Sequence, residues 1–314
     1  MSYYIGLDIG GTKCAVTLGE LTDTSVEILD KVKFPTAGNS PEDVLAIFDR
    51  KIAEYCETYT VEGIGISCGG PLDSKKGVIL SPPNLPGWDE VAIVRYFRDR
   101  HPIPVYLQND ANACAVAEWK YGAGRGSDNM VFMTFGTGLG AGLILDGHLY
   151  TGTNDMAGEI GHWRLCEDGP VGYGKAGSFE GFCSGGGIAA LARAQVEAGG
   201  CAHLLKEAGS SEAITAKLIA ELAEQGDEDC RRIYAHSGRM LGKGLAMLID
   251  ILNPQVIVIG SVFTRSHALL WEYTKEEIEK EALPLSAGVC EVRTSGLGER
   301  IGDYAALTVA TGRF

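Results

Sequence analysis

Asp8-Ile9-Gly10-Gly11-Thr12-Lys13 stands between two apolar runs, Tyr3-Tyr4-Ile5-Gly6-Leu7 before it and Cys14-Ala15-Val16-Thr17-Leu18 after it. The pattern predicts strand, glycine turn, strand. It recurs once: Met130-Val131-Phe132-Met133-Thr134-Phe135 leads into Gly136-Thr137-Gly138-Leu139-Gly140, and Ala141-Gly142-Leu143-Ile144-Leu145 leads out to an Asp146-Gly147 turn. Glycine lets a backbone approach a phosphate closely, and successive N–H groups can form an anion-binding nest. A Rossmann or Walker loop would run from strand into helix instead, and no G-x-x-x-x-G-K-[ST] string occurs. One glycine hairpin is an ordinary feature. Two of them, each opening one half of the chain, predict a pair of phosphate-cradling hairpins.

Val26 to Phe34 reads as a strand, and Ser40-Pro41-Glu42-Asp43 opens a helix with a serine cap and proline at its first position. Gly63-Ile64-Gly65-Ile66-Ser67 is a short buried strand ending in Cys68-Gly69-Gly70-Pro71. The loop Ser81-Pro82-Pro83-Asn84-Leu85-Pro86-Gly87-Trp88 is either packed by Trp88 or in contact with a ligand. Pro104-Val105-Tyr106-Leu107-Gln108 delivers Asn109-Asp110 to an alanine-rich helix ending near Tyr121, where a lobe boundary is expected. An irregular glycine-rich stretch follows from Thr151 to Gly187. Beyond it helices are expected after Gly185-Gly186-Gly187, over Glu212 to Glu224, from Asp227 to Ile251 and near Asp303 to Ala310, with a strand at Val256 to Ile259.

The chain of 314 residues is long enough for two lobes with separate cores. Its net charge of −14 argues against a nucleic-acid or anionic-membrane surface, both of which call for clustered Lys and Arg. Nine scattered cysteines and no signal-peptide pattern point to the reducing cytosol. No apolar run approaches the ~20 residues that cross a bilayer.

The duplicated hairpin resembles the actin, hexokinase and Hsp70 ATPase superfamily, in which each lobe grips ATP phosphates with its own turn. Within it the chain resembles the ROK family of repressors, open reading frames and sugar kinases. The resemblance rests on Asp8 to Lys13, Gly65 to Pro71, Asn109-Asp110-Ala111-Asn112-Ala113, the second glycine turn, Gly158-Glu159-Ile160-Gly161-His162 and Val256-Ile257-Val258-Ile259-Gly260. It implies an α/β, two-lobed actin-like ATPase (ribonuclease H-like) fold with an interlobe cleft. The small lobe would comprise residues 1–120 and 300–314, and the large lobe 121–299. It also implies a homodimer.

By position alone Asp110 is as suited to capping its helix as to catalysis. The resemblance makes Asn109-Asp110 the sugar-binding and catalytic pair, with Asp110 the general base toward ATP. It implies sugar contacts from Gly70, Asn84, Glu159, His162 and Glu180. It implies nucleotide contacts from Asp8, Gly10, Gly11, Thr12, Lys13, Gly136, Thr137, Gly138 and Gly260. Asp8 would hold Mg²⁺ through water. The implied reaction is transfer of the γ-phosphoryl group of ATP to a primary hydroxyl, O6 of a hexose such as glucose. Kinases of N-acetylmannosamine, N-acetylglucosamine, mannose, allose or fructose stay open, as does a sugar-sensing regulator.

One departure stands out. Many ROK proteins carry a C-x-C-G-x-x-G-C-x-E string after the Gly-His pair, and its three cysteines join the histidine on zinc. Here those positions read Val171, Tyr173 and Ser178, while Gly174, Gly177 and Glu180 keep the frame. No structural zinc is expected. Cys166 and Cys183 are the nearest thiols for a substitute site, although free cysteines more often act as small buried apolar groups.

Overall fold

The structure is a computed structural model that describes residues 2–314. The chain divides into two compact units. One contains the residues up to Asp128 together with Gly142–Ala157 and Gly296–Phe314, and the other contains Asn129–Ala141 and Gly158–Ser295. No helix among the described residues is long and apolar enough to cross a membrane.

In the first unit a five-stranded sheet has the spatial order Val26–Pro35, Lys13–Leu21, Ser2–Ile9, Val61–Cys68, Val105–Asn109. The first three strands are antiparallel neighbours, and the last three run parallel. Val44, Phe48 and Ile52 of the helix Pro41–Thr58 pack into a core with Ile5, Leu7, Ile64 and Ile66 of the strands, joined by Trp88 and Phe97. That helix starts as its sequence predicts, since Ser40 and Asp43 form a reciprocal capping box. Trp88 is buried, so the proline-rich loop is anchored in this core.

The terminal helix Ile301–Val309 also packs on the sheet, with Leu307 and Ala310 against Tyr4 and Leu21. It lies very close because the strands offer glycine: a Cβ on Gly65 would stand 2.1 Å from the Ala306 carbonyl oxygen, and one on Gly63 2.2 Å from that of Ala310. The buried Glu118 carboxylate accepts from the amides of Ala123 (2.7 Å), Gly296 (3.1 Å) and Leu297 (3.0 Å). It therefore ties the segment where the chain leaves this unit to the segment where it returns.

A second five-stranded sheet has the order His148–Tyr150, Leu139–Leu145, Met130–Phe135, Val256–Ile259, Glu291–Thr294. The second unit adds the helices Gly185–Glu197, Ala216–Glu224, Glu228–Leu252 and His267–Glu281. Two helix starts differ from the sequence reading, and one long helix is absent from it. The helix expected from Glu212 starts at Ala216, because the Thr215 side chain accepts from the Leu218 amide and fixes the start there. Gly185 to Gly187 form the first turn of their helix under a Ser184 cap, rather than preceding it. His267–Glu281 escaped the periodicity reading because its buried stripe is only Leu270, Thr274, Glu277 and Ile278. It packs on Glu228–Leu252 through close backbone approach: a Cβ on Gly242 would stand 2.6 Å from the Thr274 carbonyl oxygen, and Thr274 Oγ1 donates to the Gly238 carbonyl at 3.0 Å.

Candidate active site

In the first unit, strand pairing ends at Ile9 and Cys14, and the Gly10 amide donates to the Lys13 carbonyl at 3.2 Å to close the turn. Thr36 braces it from outside, its hydroxyl donating to the Gly10 carbonyl (2.6 Å) and its amide to the Thr12 carbonyl (3.0 Å). Among the described residues, the amides of Gly11 and Thr12 have no protein partner. Neither this turn nor the second is a nest of alternating hand, since Gly10, Gly11, Gly136 and Gly138 all stay out of the left-handed region. Gly11 is required for a different reason. A Cβ there would stand 2.5 Å from the Asn84 carbonyl oxygen, so the proline-rich loop sits directly against the turn.

At the end of the strand Val105–Asn109 it is Asn109 that caps the following helix, Asp110–Tyr121, its Oδ1 accepting from the amides of Ala111 (2.9 Å) and Asn112 (3.4 Å). The Gln108 side chain holds the Asn109 amide at 3.1 Å. The Asn109 Nδ2 group lies 3.2 Å from where a Gly70 Cβ would be, and Asp110 Oδ2 lies 3.9 Å from the corresponding point on Gly69. The glycine pair at the end of Val61–Cys68 thus leaves room beside both side chains. Asp110 is open to solvent, yet the protein packed around it raises its carboxyl above the ordinary range, with its bond from the Ala111 amide opposing.

Asp8 is pushed up to about 6, first by desolvation and then by the negative charges of Asp110 and Asp303, with Lys31 and Lys13 pulling the other way. Lys31 and Asp303 were not singled out in the sequence. Asp303 is the one acid in the otherwise uncharged helix Ile301–Val309. It is buried, forms an ion pair with Lys31 and accepts from Thr17 Oγ1 at 3.3 Å. The preceding Gly302 comes so near that a Cβ would stand 3.3 Å from Asp8 Oδ2. A cavity of ≈ 120 Å³ is lined here by Asp8, Lys13, Lys31, Lys33, Glu299 and Asp303. The clustered carboxylates are hard oxygen donors that suit Mg²⁺. Among the described residues no group of three His, Cys, Asp or Glu side chains is placed to hold a metal ion directly.

A larger cavity, ≈ 790 Å³, lies at the opposite end of the strand Ser2–Ile9, by Ser2, Tyr4, Glu62, Lys120 and Arg313. Its size does not make it the candidate site, because none of the convergent groups described above reaches it.

In the second unit the Gly136 amide donates to the Gly138 carbonyl (3.0 Å), the Gly140 amide to Thr134 Oγ1 (3.1 Å) and the Leu139 amide to Glu180 Oε2 (2.9 Å). The amides of Thr137 and Gly138 are left without a protein partner among the described residues, which parallels Gly11 and Thr12. Gly158, at φ +89°, turns the chain so tightly that a Cβ would lie 2.0 Å from the Ala141 carbonyl oxygen. Glu159 then precedes a single 3₁₀ turn, Ile160–His162, and both Glu159 and His162 are exposed. The His162 ring meets Tyr173 edge-on, with centroids 6.2 Å apart. Gly260 ends the strand Val256–Ile259, donating its amide to the Met133 carbonyl at 3.0 Å. The following Ser261 places its Oγ 3.6 Å from where a Gly136 Cβ would be, so this turn borders the second glycine turn.

The stretch from Trp163 to Cys183, where the resemblance led to a comparison with a zinc-binding string, is organised by hydrogen bonds and rings. Val171 and Tyr173 are exposed in a two-stranded hairpin. The buried Ser178 caps the helix Phe179–Phe182 through the Gly181 amide (3.1 Å). Leu165 and Cys166 donate their amides to the Gly177 carbonyl, Lys175 Nζ donates to that of His162 (2.7 Å), and Trp163 stacks on Phe179. Cys183 is buried beside the Ser237 carbonyl, and burial pushes its thiol well up, away from the thiolate a metal would take.

The sequence profile described as the ROK family matches residues 4–311. The chain belongs to the ROK family. The glucokinase of Thermotoga maritima is 32% identical over 307 residues, covering 97% of this chain and 96% of its own length. A ROK family glucokinase from Streptomyces griseus, solved in complex with glucose and AMPPNP, superposes with a TM-score of 0.79 at 31% identity and covers 99% of this chain and 100% of its own. A ROK family transcriptional regulator, a homologue of the E. coli MLC protein, superposes with a TM-score of 0.85 at 26% identity; the match covers 98% of this chain and 77% of the regulator. The fold is therefore the α/β fold of actin-like ATPases.

Proposed function

We propose that this ROK protein is an ATP-dependent sugar kinase that phosphorylates the primary O6 hydroxyl of an aldohexose, with glucose the first candidate. The observation that carries the reading is the division of labour at the start of the helix Asp110–Tyr121: Asn109 caps it, while Asp110 remains open to solvent beside Gly69 and Gly70. Similarity to the two glucokinases supports it.

In this mechanism Asn109, immobilised by its capping bonds, offers its amide hydrogens to one sugar hydroxyl. Asp110 takes the proton of the neighbouring hydroxyl as that oxygen bonds to the γ-phosphorus of ATP, and the bond to the β–γ bridging oxygen breaks to release ADP. The upward shift of Asp110 brings its basicity closer to working pH, which suits a general base. The amides of Gly11, Thr12, Thr137 and Gly138 are the donors left to meet phosphate oxygens. Asp8 would hold Mg²⁺ through water, and the cation when bound neutralises charge on the phosphate oxygens. Gly70, Asn84, Glu159, His162 and Glu180 complete the sugar contacts, and Gly260 the nucleotide contacts. The same reading places the enzyme in the cytosol as a homodimer.

ADP release measured against a panel of hexoses, with glucose, N-acetylmannosamine, N-acetylglucosamine, allose, mannose and fructose as arms, tests the proposal. Release that requires glucose, with the product phosphorylated at O6, is the expected result. Tight hexose binding with no ADP release would overturn it and favour a sugar-sensing regulator, a role to which the matched regulator gives weight.

A further inference from the structure

Glu180 is crowded in a way that a simple sugar ligand does not require. A Cβ on Gly138 would stand 2.7 Å from its Oε2, one on Gly172 2.9 Å from its Cβ, and one on Gly161 3.4 Å from its Cβ. Three glycines from three separate segments leave just enough room for this side chain. The short helix that carries it is fixed at its start by the Ser178 cap. Within the second turn, the bonds of Gly136 to Gly138 and of Gly140 to Thr134 are internal to the hairpin. The bond from the Leu139 amide to Glu180 Oε2, 2.9 Å, fastens the turn to another element. It also decides which amides are left for a phosphate, namely those of Thr137 and Gly138.

We propose that Glu180 is the positioning residue of the second glycine turn as well as a sugar ligand, so that one carboxylate couples nucleotide affinity to sugar affinity. This rests on the sugar-kinase reading for its sugar half alone. A carboxylate accepts at up to four lone-pair sites, and Oε1 has no protein partner among the described residues. Oε1 can accept from a sugar hydroxyl while Oε2 keeps the Leu139 amide. A bound sugar then removes freedom from the side chain that holds the turn, and a nucleotide meets a turn already ordered. Such coupling is reciprocal between the two ligands.

Calorimetric titration of AMPPNP with Mg²⁺, in the absence of any sugar, separates the two roles. Glu180→Ala removes the acceptor, and AMPPNP affinity should fall about ten-fold, as loss of a hydrogen bond to a charged group implies. Glu180→Gln retains an acceptor oxygen and should restore most of that affinity while leaving hexose affinity impaired. Gly138→Ala would push Oε2 away from the other side and should reproduce the Glu180→Ala defect; it reads the proposal even if Glu180→Ala does not fold. In the wild type, saturating hexose should tighten AMPPNP about five-fold or more. Sugar-free AMPPNP affinity unchanged in folded Glu180→Ala, or in folded Gly138→Ala, overturns the proposal. Wild-type protein that binds AMPPNP but no hexose in the panel sinks the sugar-kinase reading instead, and the sugar-free arm still decides what Glu180 does for the turn.

Discussion

Asp8 and Asp110 are carboxylates whose environments both disfavour the charged form, and they answer to different tests. Asp110→Asn keeps shape and hydrogen-bonding capacity but removes the base. It is expected to lower kcat by about 10²–10⁴-fold, the usual contribution of a general base, with hexose affinity within about an order of magnitude of wild type. Wild-type kcat in a folded Asp110→Asn protein would refute the assignment. For Asp8 the argument is one of stability. Its folded carboxyl sits at about 6, above the ordinary carboxylate value, because of desolvation and the charges of Asp110 and Asp303. A carboxyl raised on folding stabilises the fold only below its unfolded pKa, and that stability is lost as pH rises through the folded value. Asp8→Asn should therefore be more stable than wild type in metal-free buffer at pH 7.5, by on the order of 2 kcal/mol. The difference should vanish near pH 4, as denaturant unfolding at the two pH values will show. An Asp8→Asn protein less stable than wild type at pH 7.5 would contradict the picture of a strained, functional carboxylate.

At the scale of elements, the two glycine turns look alike in sequence and are tied down differently in space. A Cβ on Gly11 would stand 2.5 Å from a backbone carbonyl oxygen of the proline-rich loop, whereas the nearest atom to a Cβ on Gly136 is 3.6 Å away. Gly11→Ala must shift main chain at the turn, so both thermal stability and kcat/KM should fall, the latter at least about ten-fold. Gly136→Ala should melt like wild type, and any loss of activity it shows then reports the approach of a phosphate. Equal melting temperatures for the two variants would remove this distinction. The segment from Trp163 to Cys183 makes a second case. Hydrogen bonds, a serine cap and the Trp163 stack on Phe179 hold this segment together. Elemental analysis of protein purified without chelator is expected to show no stoichiometric zinc. Near-stoichiometric zinc that disappears in Cys166→Ser or Cys183→Ser would show the opposite.

For the whole molecule the governing fact is that the first unit is assembled from three separate stretches of chain, the last of which begins at Gly296. The terminal helix lies on the glycines of the first sheet and carries the buried Leu307 and Ala310 into its core. A chain ending before Ile301 should lose the cooperative unfolding of this unit and become sensitive to limited proteolysis throughout residues 2–128, whereas a truncated protein that melts near the wild-type temperature would show the helix to be peripheral. The dependence also limits what a linear reading can see. Local chemistry is well written in the sequence: the two glycine hairpins, the Ser40 cap and the helix opened by Asn109-Asp110 all follow from residue type and spacing over a few positions. The helix His267–Glu281 was not legible from apolar spacing, because its buried stripe is sparse and includes the polar Thr274 and Glu277. The sequence alone determined that this is a ROK chain with two glycine turns, an Asn-Asp pair at a helix start and no cysteines at the zinc string. Only the tertiary structure decided that Asp303, 286 residues from Thr17, would share its ion pair with Lys31 beside Asp8. It likewise decided that Glu180 would claim the Leu139 amide and that the amides of Gly11, Thr12, Thr137 and Gly138 would be left without a protein partner among the described residues. Spacing along the chain specifies which groups a turn carries, but which of them are already satisfied depends on what folds against it from elsewhere.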